Sequence, residues 1–125
     1  MVREGRGFAV LRAIHIFPYF SNIEAIDNLR AKYDPLFSLI QSHVTLVFPF
    51  ESTITTAVLA QHVQDSLMGV KPFYIVLRGG TGSEEEYLFL KTEHFNEIFE
   101  SRVHEIVVEN IDESGKSSTE LKIPL

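Results

Sequence analysis

The stretch Ser42-His43-Val44-Thr45-Leu46-Val47-Phe48-Pro49-Phe50 sets an imidazole and a hydroxyl two residues apart inside an otherwise apolar run. In a β-strand, residues two apart project from the same face, roughly 6.5–7 Å apart along the chain. The spacing therefore predicts a strand with His43 and Thr45 on one face and Val44, Leu46 and Phe48 packed on the other. An imidazole of ordinary pKa, about 6.5, exchanges a proton near neutrality, and a hydroxyl can hydrogen-bond a phosphoryl oxygen. The two side chains could form half of a phosphate site. By its spacing alone, His-x-Thr also fits a purely structural strand.

Working outward from this stretch, Phe8 to Phe17 alternates as a strand closed by Pro18. Ala13, His15 and Phe17 fall on one face, and Arg12, Ile14 and Ile16 on the other. Ser21-Asn22-Ile23-Glu24 has the spacing of a capping box, in which the Ser oxygen and the Glu carboxylate satisfy orphan backbone N–H groups. It predicts a helix with the stripe Ile23, Ile26, Leu29 and Tyr33, stopped at Asp34-Pro35 because a residue before proline disfavours helical geometry. Leu36 to Ile40 is expected to form a buried turn.

Downstream, Glu51-Ser52-Thr53 offers capping oxygens for a helix with Ile54, Val58, Leu59, Val63 and Leu67 at helical spacing, and Gly69 is a natural stop. Lys71 to Arg78 is expected to pair with Glu86 to Lys91 through the loop Gly79-Gly80-Thr81-Gly82-Ser83. Glu93 to Glu100 reads as a short helix. Val103 to Ile111 and Thr119 to Ile123 read as a closing hairpin around Asp112-Glu113-Ser114-Gly115. No repeat or linker divides the chain, so residues 1–125 are expected to form a single domain.

With 125 residues, 45% hydrophobic and 22% charged, the composition is that of a globular chain with a real core. The lack of cysteine removes thiol chemistry and disulfides, and fits a cytoplasmic protein. A net charge of −6 disfavours extended binding along a nucleic-acid backbone while leaving a small anion or a single RNA end as a partner. Arg12 and His15 interrupt the apolar N-terminal run, so neither a signal peptide nor a membrane segment is expected. His62, His94 and His104 lack a second ligand at metal spacing, so no metal is indicated. Gly115-Lys116-Ser117 lacks the upstream glycine of a phosphate-binding loop.

Phe17-Pro18, the helix ending at Tyr33-Asp34-Pro35, and His43-Val44-Thr45-Leu46-Val47-Phe48-Pro49-Phe50, taken in that order, resemble the two-histidine phosphoesterase superfamily in its bacterial 2'-5' RNA ligase-like branch. The resemblance runs from Phe8 to Leu90 and again from Arg102 to Leu125. It implies an α+β fold with a ferredoxin-like first lobe and a second lobe across a cleft, each lobe carrying one His-x-Thr or His-x-Ser motif. One His would act as base and the other as acid on a 2',3'-cyclic phosphate or a 2'-5' linkage, with the hydroxyls holding the phosphate and no metal or other cofactor. In this sequence only His43 with Thr45 matches the motif. The second lobe is expected to be shortened near 100–102.

Three arrangements would complete or replace the missing half. A homodimer could bring two copies of His43 face to face. His15 could supply the second acid or base. Otherwise, the chain could serve as an inactive nucleotide- or protein-binding module. Arg78 and Arg12, both in predicted strands, are the candidate phosphate contacts.

Overall fold

The apolar alternation near the N-terminus and that of the closing segment give two strands that pair with each other at the centre of one sheet. In the computed structural model, which describes residues 9–78 and 98–125, the elements follow the order β1 (Val10–Ile16), α1 (Ile23–Tyr33), β2 (Val44–Ser52), α2 (Thr56–Ser66), β3 (Phe73–Arg78), β4 (Ile98–Val103), β5 (Glu105–Ile111) and β6 (Ser117–Pro124). Strands β2-β1-β5-β6 form an antiparallel four-stranded sheet, and β3 and β4 form a separate antiparallel pair. The architecture is α+β, as expected.

On one face of the larger sheet, Ile14, Ile16, Ile106, Val108 and Ile123 pack with Leu59 and Val63 of α2. Leu59 and Val63 stand one turn apart and so share a helix face. Burying each such side chain contributes roughly 1.5–3 kcal/mol. A second cluster joins Ile26 of α1 to Phe20 and Phe99, whose rings meet edge to face at 5.7 Å. Ile75 of β3 touches both clusters and so links the two sheets.

The other face of the larger sheet carries Ala13 and His15 from β1 with Glu109 and Val107 opposite them on β5. The segment after α1 lies against the start of β6, where the Ser117 N–H donates to the Leu39 carbonyl at 3.1 Å. The chain between α1 and β2 therefore runs beside the His15 face, and it delivers His43 to the start of β2.

Several expectations are corrected. β2 does not alternate strictly, because two register shifts against β1 insert extra β2 residues. Val44 and Phe50 consequently reach the core, while Leu46 and Phe48 do not: Phe48 is 79% exposed. Pro49, which cannot donate a ladder hydrogen bond, sits on this edge strand beside one of the shifts, where sheets tolerate proline.

Ser21 does not cap α1. The N-cap is Asn22, which makes no side-chain cap bond; its amide donates instead to the Ile98 carbonyl at 3.2 Å. For α2 the cap is Thr55 rather than Glu51, Ser52 or Thr53, its hydroxyl accepting from the Val58 N–H at 3.3 Å. The Leu36–Ile40 turn is present, but Leu36 and Phe37 are exposed rather than buried. Gly69 adopts φ +84°, consistent with its place after α2.

β3 pairs with β4, whose residues 98–100 belong to the stretch expected to be helical. Its alternating burial, with Phe99, Ser101 and Val103 inward, is a two-residue period that the sequence already carried. The expected loop Gly79 to Ser83, the strand Glu86 to Lys91 and residues 93–97 of the expected helix lie outside the described residues.

Candidate functional site

β1 and β2 run antiparallel with His15 opposite Thr45 and Ile16 opposite Val44. Opposed residues in a ladder share a face, so His15 and Thr45 stand together on the side away from α2. His43 immediately precedes the first residue of β2, and its ring lies 4.3 Å from that of His15, centroid to centroid, at 52°. Phe17 closes the group, meeting His15 at 5.8 Å and His43 at 6.1 Å, edge-on to both. The Thr45 hydroxyl makes no hydrogen bond to another described residue.

The two imidazoles differ in environment. His43 is partly exposed, and its Nδ1 lies 2.7 Å from the Gln41 carbonyl oxygen. A carbonyl only accepts, so in the neutral ring Nδ1 carries the proton and donates it, which leaves the lone pair on Nε2. His15 is 4% exposed, and its Nδ1 is buried without a hydrogen-bond partner among the described residues. Burial, and after it the charge of a protonated His43 nearby, lower the His15 pKa from 6.5 to about 4. His15 is therefore neutral near pH 7.

Two cavities flank this group. One, of about 350 Å³, is lined by His43 and Ser42 with Arg30, Asp34 and apolar side chains such as Phe20 and Leu29. The other, of about 420 Å³, lies on the His15 side of the sheet and is lined by Phe17, Gln41, Glu109, Lys116, Thr119 and Lys122. Phe17, which touches both histidine rings, forms part of its wall.

Of the expected site residues, the fold brings His43, Thr45 and His15 together. Arg12 is not among them. It sits on the α2 side of β1, 4% exposed, where its Nε and Nη2 donate to the Glu120 carboxylate at 2.8 and 3.1 Å and its Nη1 donates to the Ile54 carbonyl at 2.9 Å. Burial raises the Glu120 pKa, but hydrogen bonds from Arg12 and Thr56 and the Arg12 charge outweigh it and hold the carboxyl below its ordinary value. With its donors turned to Glu120 and Ile54, Arg12 holds β1 to β6 rather than facing the histidines. The backbone of Arg78 ends β3, while its side chain lies outside what the structure describes. His62 and His104 are exposed and stand apart from the pair, and His94 lies outside the described residues.

Sequence reasoning did not single out Arg30 or Lys122, and it weighed Lys116 only within the discounted Gly115-Lys116-Ser117 pattern. Lys122 pairs with Val107 across β5–β6 and lies 3.8 Å from Glu105, which places it on the His15 face. Lys116 follows the turn in which the Asp112 carboxylate accepts from the Ser114 and Lys116 backbone N–H groups at 2.9 Å each. Alternation along the closing strand could not have found Lys122, because a register shift between Val108 and Glu109 in the β5–β6 pairing sets Glu120 and Lys122, two residues apart, on opposite faces.

Among the described residues, no group of three or more His, Asp or Glu side chains is placed to hold a metal ion. No helix among them is long and apolar enough to cross a membrane. A comparison with curated proteins finds no match. A family model described as the 2'-5' RNA ligase superfamily matches residues 18–115, a span that holds α1, the His43-Val44-Thr45 motif and β5. With that match covering most of its length, the chain belongs to the 2'-5' RNA ligase superfamily.

Proposed function

We propose that the chain is a cytoplasmic protein acting on small 2',3'-cyclic or 2'-5' phosphodiesters, with His43 as the proton-transfer group and Thr45 as a hydroxyl donor to the phosphate. The observation that supports this reading is that Thr45 stands opposite His15, whose ring lies 4.3 Å from that of His43, with His43 lining one of the two cavities and the Gln41 carbonyl leaving its Nε2 as the free lone pair. In hydrolysis of a cyclic phosphate, Nε2 would take the proton of the attacking water as the new P–O bond forms. The P–O bond to the departing ribose oxygen breaks, and that oxygen takes a proton.

His15 is a poor source of that proton. With a pKa of about 4, it is protonated in roughly one molecule in a thousand at pH 7. The departing oxygen would then be protonated from solvent. Lack of a positioned acid costs about 10²- to 10⁴-fold in rate, so turnover is expected to be slow.

The same property of His15 favours a second reading, in which the site binds a nucleotide or RNA terminus without turning it over. Lys116 and Lys122 in the neighbouring cavity would be the cations nearest a phosphate in either case, with Glu105 and Glu109 in the same lining. Hydrolysis of a 2',3'-cyclic nucleotide and of a 2'-5' dinucleotide, measured beside calorimetric binding for wild type, His43→Ala and Thr45→Ala, separates the readings. Turnover lost in His43→Ala with the fold intact supports the enzyme. Binding without turnover supports the module. A hydrolysis rate unchanged by His43→Ala refutes the assignment of His43. Gel filtration of the same samples tests the homodimer; elution as monomer removes it.

A further inference from the structure

Arg30 is the most heavily tied cation beside the His43 cavity. Its side chain, 13% exposed, leaves α1 one turn before the helix ends. Its Nε donates to the Asp34 carboxylate at 2.8 Å and its Nη2 to the Ile40 carbonyl at 2.7 Å, with longer contacts of 3.5 Å to the Leu36 carbonyl and the Ser42 hydroxyl. The guanidinium carbon lies 5.6 Å from the centroid of the Phe37 ring. Asp34, held by Arg30, in turn accepts from the Leu36 N–H at 2.9 Å.

All of these partners belong to one segment, residues 34–42, which contains no helix or strand of its own. Near its end the segment carries the Gln41 carbonyl, which accepts the hydrogen bond from His43 Nδ1. A single planar fork therefore ties the start of the segment at Asp34 to its end at Ile40 and Ser42, one residue on either side of that carbonyl. A fork of fixed geometry can do this where a point charge cannot.

We infer that Arg30 is a positioning residue for His43: by clamping residues 34–42 it aims the Gln41 carbonyl so that His43 keeps its proton on Nδ1 and presents Nε2. The significance of this role rests on the proposed function, but its test does not require turnover.

The experiment is the ¹⁵N NMR spectrum of the His43 ring at a pH where it is neutral, recorded for wild type, Arg30→Met and Arg30→Lys. Wild type is expected to show protonated Nδ1 and bare Nε2. Both variants are expected to lose that preference, since Lys keeps the charge but not the fork, and added guanidinium ion should restore it in Arg30→Met. A purely structural role for Arg30 would lower the unfolding midpoint and leave the tautomer unchanged. If Arg30→Met does not fold, Arg30→Lys is read in the same way. Protonated Nδ1 retained in a folded variant overturns the inference. A wild type without turnover but with this tautomer response would refute the enzyme reading and leave the role of Arg30 standing.

Discussion

Burying His15 as a neutral ring couples folding to pH, and the size of the coupling follows from the site. In the unfolded chain His15 titrates near 6.5, whereas in the native protein burial and the adjacent His43 lower it to about 4. Between these values the unfolded state binds a proton that the native state refuses, so stability rises with pH across that window. The contribution is intact above about pH 6.5, is lost as the pH falls toward 4, and is level below that. At about 1.4 kcal/mol per pH unit the full interval amounts to about 3 kcal/mol, of which roughly 2 kcal/mol is gone by pH 5. A His15→Leu variant puts an apolar side chain at the position and removes both the titration and the Nδ1 that has no partner among the described residues. Urea unfolding of both proteins from pH 7 to pH 4 gives the difference directly, because carboxylates such as Asp34 and Glu120 are present in both and cancel. Wild type should lose about 2 kcal/mol more than the variant between pH 7 and pH 5. Equal losses over that interval would refute the claim that His15 is held neutral by its surroundings.

Three further outcomes test the frame around the site. Arg12→Met leaves the Glu120 carboxylate buried opposite an apolar side chain, and urea unfolding should show a loss of about 3–5 kcal/mol, most of it recovered in the double variant Arg12→Met/Glu120→Leu. Phe99→Ala, which empties the fully buried edge-to-face contact with Phe20, should cost about 3–5 kcal/mol. Phe48→Ala, at a side chain 79% exposed, should change stability by no more than about 0.5 kcal/mol by the same measurement.

Much of this protein could be read from local pattern. Leu59 and Val63 recur at helical spacing and are buried on α2; Ala13, Ile14 and Ile16 lie in an alternating apolar run and fill β1. These periods are properties of neighbouring residues, and a helix or strand expresses them whatever it packs against. The alternation of β1 also placed Arg12 with Ile14 and Ile16, away from His15, although its ion pair with Glu120 depends on where β6 lies. The His43-Val44-Thr45 motif and its family were legible for the same reason: the signal is a short spacing in a fixed order of elements.

Local pattern thus sufficed for the type of most elements, the α+β class and the spacing of His43 and Thr45 at the start of β2. How distant stretches meet is settled only in three dimensions. The approach of His15 to His43 depends on the β1–β2 register, and that register contains two shifts that no alternation predicts. The pairing of β3 with Ile98–Val103, and the delivery of Lys122 to the His15 face, likewise depend on strand partners far apart in the chain. The depressed pKa of His15 belongs to the same class, because desolvation is set by everything that packs around a ring rather than by its neighbours in sequence.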